Sequence, residues 1–263
     1  MLGEVLFGLL VGFLVGLTGV GGGSLMSPFL LAIGLPAPTA IGTDLVYATI
    51  TKLFGSVQHY RQRSVNLQVV GFMALGSVPA GLLGVVTVNW IKGAYNPDSV
   101  TAIMTAAIGA VVVLAGVSLA VRDFLPQRSE KQVRDGWDGK SPMSFKRRTL
   151  TVSLGAVGGY LVGLTSIGSG TMIAIVLLLL YPLSPAMIVG TDVAHALVLS
   201  FVVGLVHAIS GNVDFSIAGT LLLGGVPGAL IGSRLTKLVP GRPLRLLLAA
   251  MLIFVGVKTL IGI

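Results

Sequence analysis

Two aspartates, Asp44 and Asp192, each follow a Gly-Thr dipeptide within a long apolar stretch. A carboxylate inside an apolar helix is costly, and it marks an ion or proton pathway in membrane proteins. Each aspartate could therefore bind a coupling cation or carry a proton. Both also come soon after a proline, where Thr and Asp side chains could simply cap the free N–H groups of a helix start. Coupling and capping both remain open for Thr43, Asp44, Thr191 and Asp192.

Lys52 is the one Lys or Arg that we predict well inside an apolar helix. It follows Asp44 by about two turns, roughly 12 Å along a helix, which is too far for direct contact. Lys52 could attract an anion, or it could extend toward the lipid headgroups if it lies nearer a helix end. Its counterpart in the second half of the chain is Ser200. His195, one turn after Asp192, is the histidine that we favour for a functional role.

Two glycine-rich runs interrupt apolar segments at equivalent places in the two halves. A helix that starts inside a membrane presents unpaired N–H groups and the positive end of its dipole, which together favour a small anion. Glycines let the backbone approach a ligand, and hydroxyl groups add donors. Close helix packing is the other explanation, but the duplication favours a transporter binding site. The predicted substrate-binding residues are Gly21, Gly22, Gly23, Ser24, Lys52, Gly168, Ser169, Gly170 and Thr171.

An internal repeat underlies this duplication. Residues 16–24 align with residues 163–171, and the match continues through the prolines, the Gly-Thr-Asp tripeptides and a histidine of each half. Farther on, residues 78–84 align with residues 226–232. The two halves are therefore homologous, and we divide the chain into an N-terminal repeat (1–121), a charged linker (122–148) and a C-terminal repeat (149–263).

Composition excludes an ordinary soluble protein. The 263 residues are 54% hydrophobic and only 10% charged, against about 25% charged in soluble proteins. The charged residues are concentrated in the linker, so almost all of the remaining chain suits lipid. The net charge of +8 lies in loops, where it orients a membrane protein rather than binding nucleic acid. With no cysteine and three histidines, neither a metal site nor a cofactor is expected.

The predicted fold is an all-α polytopic membrane protein with two inverted repeats of about five segments each. Segments 24–33 and 171–180 are short, so each spans about half of the hydrocarbon core. The loop after the third segment is basic only in the first half, and the next loop is basic mainly in the second. The positive-inside rule therefore predicts inversion, with both termini outside and the linker in the cytoplasm. The other predicted helices are 2–18, 39–60, 67–90, 99–121, 150–165, 185–210, 215–235 and 243–261.

The repeated motifs resemble those of the sulfite exporter TauE/SafE family of bacterial and archaeal inner-membrane proteins. The resemblance covers essentially the whole chain. It is carried by residues 16–23 with Pro28 and Gly42-Thr43, and by residues 163–170 with Gly190-Thr191. It implies transport of sulfite, thiosulfate or an organosulfonate such as sulfoacetate, while another organic acid such as a carboxylate remains open. The duplicated glycine breaks separately favour alternating access, with Asp44 or Asp192 coupling transport to protons or Na⁺.

The expected partners are accordingly a small anion, a coupling proton or Na⁺, and membrane lipid, without nucleic acid. A passive anion channel of the same architecture is a rival hypothesis. A second rival is an intramembrane enzyme built from Ser24, His195 and the two aspartates. The P-loop, Gly-x-Ser-x-Gly and His-Glu-x-x-His signatures are absent from the sequence, so we do not predict an enzyme.

Overall fold

A computed structural model describes residues 2–18, 23–122, 141–168, 170, 172–181, 183–235 and 241–261. These residues form ten α-helices and contain no β-strand. In chain order the helices are α1 (Leu2–Thr18), α2 (Gly23–Ala32), α3 (Ala37–Arg61), α4 (Leu67–Ala94), α5 (Pro97–Arg122), α6 (Phe145–Thr165), α7 (Met172–Leu180), α8 (Pro185–Ile209), α9 (Phe215–Leu235) and α10 (Gly241–Ile261).

The all-α prediction is confirmed, and the predicted boundaries agree with the observed ones to within about one turn. The largest difference is at α6, which begins at Phe145 inside the stretch predicted as linker. Ser144 caps this helix by accepting a hydrogen bond from the N–H of Arg147. Arg148 donates to the carbonyl oxygen of Met143, at 2.8 Å. The basic residues thus extend the helix beyond its apolar part, and residues 123–140 of the predicted linker lie outside the described residues.

The main helix contacts connect the two halves of the chain. Helix α1 packs on α9, and α4 packs on α6. Helices α3 and α8 pack on each other, as do α5 and α10. These pairs are related by the repeat. The α1–α9 pair corresponds to the α6–α4 pair, and the α3–α8 and α5–α10 pairs each join two corresponding helices. The two halves are therefore interleaved in one bundle.

Glycines allow the α1–α9 and α4–α6 pairs to approach closely. A Cβ on Gly8 would overlap the carbonyl oxygen of Leu221, and one on Gly232 would overlap that of Phe13. Because the sequence numbers rise together along both helices, α1 and α9 run parallel. In the same way, Gly155 meets Met73 and Gly163 meets Gly81, so α4 and α6 are also parallel. Small residues at such interfaces let helix backbones pack in the absence of a hydrophobic driving force.

Helices α2 and α7 are much shorter than their neighbours. They contain 10 and 9 residues, which corresponds to about 15 Å or less along the helix axis. Helix α6 ends at Thr165, and the next residue, Ser166, has left-handed backbone angles with φ of 62°. Gly168 has a φ of 119°, a conformation that favours glycine, before α7 begins at Met172.

Within the described part of the chain, four helices are long and apolar enough to cross a membrane by length and composition. These stretches are Leu67–Ala94, Pro97–Val121, Ala186–Ile209 and Phe215–Gly232. Two shorter apolar stretches are Leu2–Leu17 and Leu246–Ile261. Large apolar side chains such as Leu223 and Phe254 are mostly exposed on the outside of the bundle, as expected for a surface that contacts lipid. Helix α3 falls outside this group and instead places charged residues in the interior.

Candidate functional site

The centre of the bundle contains the antiparallel pair α3–α8. A Cβ on Gly42, near the start of α3, would overlap the carbonyl oxygen of Asn212, which follows the end of α8. A Cβ on Gly190, near the start of α8, would overlap the carbonyl oxygen of Ser64, which follows the end of α3. Only glycine permits such an approach of backbones. The start of each helix therefore lies against the end of the other.

Thr43 and Thr191 connect the two halves at these two ends. The N–H of Asp214 donates to Oγ1 of Thr43 at 2.9 Å. The N–H of Asn66 donates to Oγ1 of Thr191 at 3.0 Å. Asp214 and Asn66 in turn accept hydrogen bonds from N–H groups in the first turns of α9 and α4. The Gly-Thr dipeptide of each half thus fastens one end of the pair to a helix of the other half.

Asp44 lies in the second turn of α3 and is fully buried. Its Oδ2 is hydrogen-bonded to Oγ of Ser27, on α2, at 2.9 Å, and to Oγ of Ser166, in the turn after α6. The two serine Oγ atoms are 2.6 Å apart. Oδ1 of Asp44 is buried and has no hydrogen-bond partner among the described residues. The carboxyl group therefore contacts hydroxyl groups rather than the N–H groups of its own helix start.

Lys52, Asp192 and His195 form a second buried polar group between the same two helices. The side chain of Lys52 is 6% exposed, and Asp192 and His195 are at most 2% exposed. Lys52 interacts electrostatically with both aspartates, more strongly with Asp192 than with Asp44. Nε2 of His195 lies 2.8 Å from Oγ of Ser77, on α4. Nδ1 of His195 is buried and has no hydrogen-bond partner within the described part of the chain.

Of the predicted residues, Lys52 of α3 thus lies near Asp192 and His195 of α8, and Asp44 of α3 contacts α2 and the turn after α6. Gly23 begins α2, and Ser24 is buried in its first turn. Gly168 and Gly170 lie between α6 and α7. The predicted residues Gly21, Gly22, Ser169 and Thr171 lie outside the described residues.

Sequence reasoning missed Ser27, Ser166 and Ser77. Ser27 is separated by one helical turn from Ser24 in an apolar segment, and this spacing could have drawn attention to it. Ser166 belongs to the repeated glycine-rich motif, where it replaces the Gly19 of the first half. Ser77 shares no motif with His195, so only the packing of α4 on α8 reveals their contact.

A cleft of about 560 Å³ opens at the end of the bundle where α3 begins. It is lined by Lys92, Tyr95 and Asp98 together with the residues that connect α2 to α3. Lys92 also donates a hydrogen bond to Oδ1 of Asn212. Among the described residues, no group of three or more His, Asp or Glu side chains could hold a metal ion.

An interleaved bundle with an apolar outer surface and charged side chains buried between two helices defines a multi-pass membrane protein with an internal polar site. The comparisons with known proteins specify the class further. The profile described as "Sulfite exporter TauE/SafE" matches residues 5–259. The chain therefore belongs to the TauE/SafE family of membrane transporters.

The relatives of the chain are named as transporters. Probable membrane transporter protein YjnA of Bacillus subtilis is 41% identical over 254 residues, which cover 97% of each chain. YdhB of the same organism, which has the same description, is 29% identical over 236 residues and 88% of each chain. A probable membrane transporter protein of Methanocaldococcus jannaschii is 23% identical over 98% of this chain and 94% of its own. No solved structure matches the chain.

Proposed function

We propose that the protein is a secondary transporter that moves sulfite, or a related sulfur-containing anion such as thiosulfate or an organosulfonate, across the cytoplasmic membrane by alternating access. The observation that carries the proposal is the burial of Lys52 between α3 and α8. Ionisable side chains are expensive inside a membrane, and they mark substrate and ion pathways. A buried ammonium group is suited to attract an anion into the bundle.

The neighbours of Lys52 can add donors for an anion. When Ser77 donates its hydroxyl proton to Nε2 of His195, Nδ1 of the imidazole carries the ring proton. Nδ1 is buried, and no described residue accepts a hydrogen bond from it. It can therefore donate to an oxygen of a bound anion. Lys52 would supply charge, and His195 would supply a directed hydrogen bond.

Packing of corresponding helices supports inverted repeats. Helices α3 and α8 run antiparallel, as the contacts of Gly42 and Gly190 require. Helices α5 and α10 are also antiparallel, because Gly116 meets Ala249 whereas Gly109, earlier in α5, meets Gly256. Corresponding helices of an inverted repeat point in opposite directions across the membrane. In such transporters, one repeat rocks against the other around a central site.

Charges at the two ends of the bundle support a cytoplasmic linker. The end that contains the loop after α3 and the start of α6 has Arg61, Arg63, Lys146, Arg147 and Arg148. The contact of Asn66 with Thr191 places the start of α8 at this end as well. The opposite end has Lys92 beside the acidic residues Asp98 and Asp214. By the positive-inside rule, the basic end faces the cytoplasm, so both termini lie outside.

Substrate-induced current in proteoliposomes tests the proposed function. Purified protein is exposed in turn to sulfite, thiosulfate, sulfoacetate, oxalate and chloride, with and without a proton gradient. We expect a saturable response to one of the sulfur-containing anions. A response that rises linearly with concentration would instead support a channel, and a response only to oxalate or chloride would contradict the substrate class.

A pair of lysine variants tests the site. Lys52→Ala removes the buried ammonium, whereas Lys92→Ala removes one at the edge of the cleft. Charged hydrogen bonds contribute about 1.5–3 kcal/mol, so Lys52→Ala should weaken half-saturation by roughly tenfold to a hundredfold. Lys92→Ala should change it by less than about threefold. Equal effects of the two variants would place the anion elsewhere.

A further inference from the structure

Three oxygen atoms form a closed triangle beside the central helix pair. The corners are Oδ2 of Asp44 on α3, Oγ of Ser27 on α2 and Oγ of Ser166 in the turn after α6. Oδ2 lies 2.9 Å from Ser27 Oγ and also within hydrogen-bond distance of Ser166 Oγ. The two Oγ atoms are 2.6 Å apart. All three side chains are at most 5% exposed.

Hydrogen atoms are one too few for this triangle if Asp44 is ionised. The triangle has three oxygen–oxygen edges, each of hydrogen-bond length, and the two serine hydroxyls supply two hydrogens. A proton on Oδ2 supplies the third. The carboxyl then donates to one serine, that serine donates to the other, and the second serine donates back to Oδ2. A protonated Asp44 therefore places one hydrogen on every edge.

A shared metal cation does not fit the same three oxygens. Ions of the size of Ca²⁺ or Na⁺ hold oxygen ligands at about 2.3–2.6 Å, so neighbouring ligands at right angles are roughly 3.3 Å apart or more. The separations of 2.6 Å and 2.9 Å between these oxygens are shorter than that. Hydrogen bonds, rather than coordination, account for the distances.

The charges around Asp44 also favour the neutral carboxyl. Its titratable neighbours are Lys52 and Tyr47 on its own helix, and across the pair lie Asp192 and His195 of α8. Helix α2 and the turn after α6 contribute only the two serines to its hydrogen bonds. Lys52 can balance one carboxylate, and it interacts more strongly with Asp192. An ionised Asp44 would leave a second buried negative charge, with Oδ1 accepting no described hydrogen bond.

We infer that Asp44, buried in a hydrogen-bonded ring with Ser27 and Ser166, carries a proton and is the proton-binding site of this transporter, and that the coupling ion is a proton rather than Na⁺. The coupling of proton and anion transport rests on the proposed function, whereas the protonation of Asp44 does not. Loss of the proton would open the ring and place a negative charge near Lys52. Proton binding therefore favours anion binding, and the two ligands become linked.

Infrared spectroscopy tests the protonation without any anion. A carboxylic acid has a C=O stretching band that a carboxylate lacks. In detergent at pH 7.5, we expect this band in the wild-type protein, its loss in Asp44→Asn, and its retention in Asp98→Asn, an exposed control. Absence of the band from the wild type, or its persistence in Asp44→Asn, would overturn the inference.

Ser166→Ala gives a second readout that does not depend on the folding of Asp44→Asn. Removal of one hydroxyl from the ring changes the hydrogen bonding of the carboxyl group, so the band should shift in frequency. Ser216→Ala removes a hydroxyl at the exposed start of α9 and should leave the band in place. An unmoved band in Ser166→Ala would also overturn the inference.

Uptake of labelled thiosulfate tests the coupling, because thiosulfate does not change charge near neutral pH. With no membrane potential, one proton per anion and a gradient of one pH unit supports up to about tenfold accumulation. Asp44→Asn should reduce this accumulation to none, and Asp98→Asn should keep it. Accumulation driven by a Na⁺ gradient at equal pH would overturn proton coupling. Failure of wild-type uptake counts against the proposed function, and the infrared result stands apart from it.

Discussion

The two halves of the chain make equivalent contacts at the ends of the α3–α8 pair but different ones at its centre. At the ends, the two halves make the same contacts: Thr43 with Asp214 corresponds to Thr191 with Asn66, atom for atom and with nearly equal distances. At the centre, equivalent positions differ in chemistry. Lys52 corresponds to Ser200, and the Ser27 that contacts Asp44 corresponds to Ala174. The repeat has therefore kept its fastening points and diverged in the polar interior.

The packing one turn after each aspartate also differs between the two halves. Tyr47 of α3 occupies the position equivalent to His195 of α8, and Gly225 of α9 occupies that of Ser77. The Tyr47 ring fills the space that a Cβ on Gly225 would need. In one half, the large Tyr47 side chain thus packs against Gly225. In the other half, the equivalent residues His195 and Ser77 form a hydrogen-bonded polar pair. The space beside α9 is therefore filled by the Tyr47 ring, and the equivalent space beside α4 contains the hydrogen-bonding groups of His195 and Ser77.

The largest expected effect separates the two aspartates. Asp192→Asn removes the stronger electrostatic partner of Lys52 and should lower the free energy of unfolding by about 3 kcal/mol, as for other broken buried charge pairs. Asp44→Asn should lower it by less than about 1 kcal/mol, because the amide is neutral like the protonated carboxyl group and its NH2 group can still donate to one serine. Thermal unfolding in detergent measures both. Equal losses would mean that the two aspartates are equivalent after all.

The next effect concerns the ends, where the two halves should respond alike. Gly42→Val and Gly190→Val each force side-chain atoms into a facing carbonyl oxygen. Overpacking of this kind costs about 1–3 kcal/mol, and both variants should lower the unfolding midpoint by a similar amount. Gly71→Ala, where a Cβ meets no atom within 4 Å, is the control and should not destabilise the bundle. A difference between the two valine variants would show that the fastening points are unequal.

The sequence could predict the elements and the candidate residues, but not the partition between ends and centre. The helices could be predicted from the apolar stretches and the glycine-rich breaks between them, because both are local features of the sequence. The repeat also identified Asp44 and Asp192 as a pair. Their different surroundings depend on side chains from α2, α6 and α4, such as Ser27 and Ser77, which are far away in sequence and lack a motif. The role of the Gly-Thr dipeptides in joining the halves likewise depends on packing.

A smaller effect is expected at the two threonines. Thr43→Val and Thr191→Val keep the shape of the side chain but leave the N–H of Asp214 or Asn66 without its acceptor. Each should cost about 1 kcal/mol. The sites lie at opposite ends of the pair, so the double variant should lose about 2 kcal/mol. Unfolding of the single and double variants in detergent provides the comparison, and a double variant no worse than either single would mean that the two ends act together.

The smallest effect contrasts the filled and the polar sides of the centre. Tyr47→Phe removes a hydrogen bond of 3.2 Å to the carbonyl oxygen of Gly8 and should cost about 0.5–1 kcal/mol in unfolding, without a change in anion uptake. Ser77→Ala, at the polar pair, removes the hydroxyl that orients His195 and should weaken half-saturation of uptake by roughly fivefold, about 1 kcal/mol. If Tyr47→Phe changes uptake while Ser77→Ala does not, the anion lies on the side of α9, and the assignment of the two sides must be reversed.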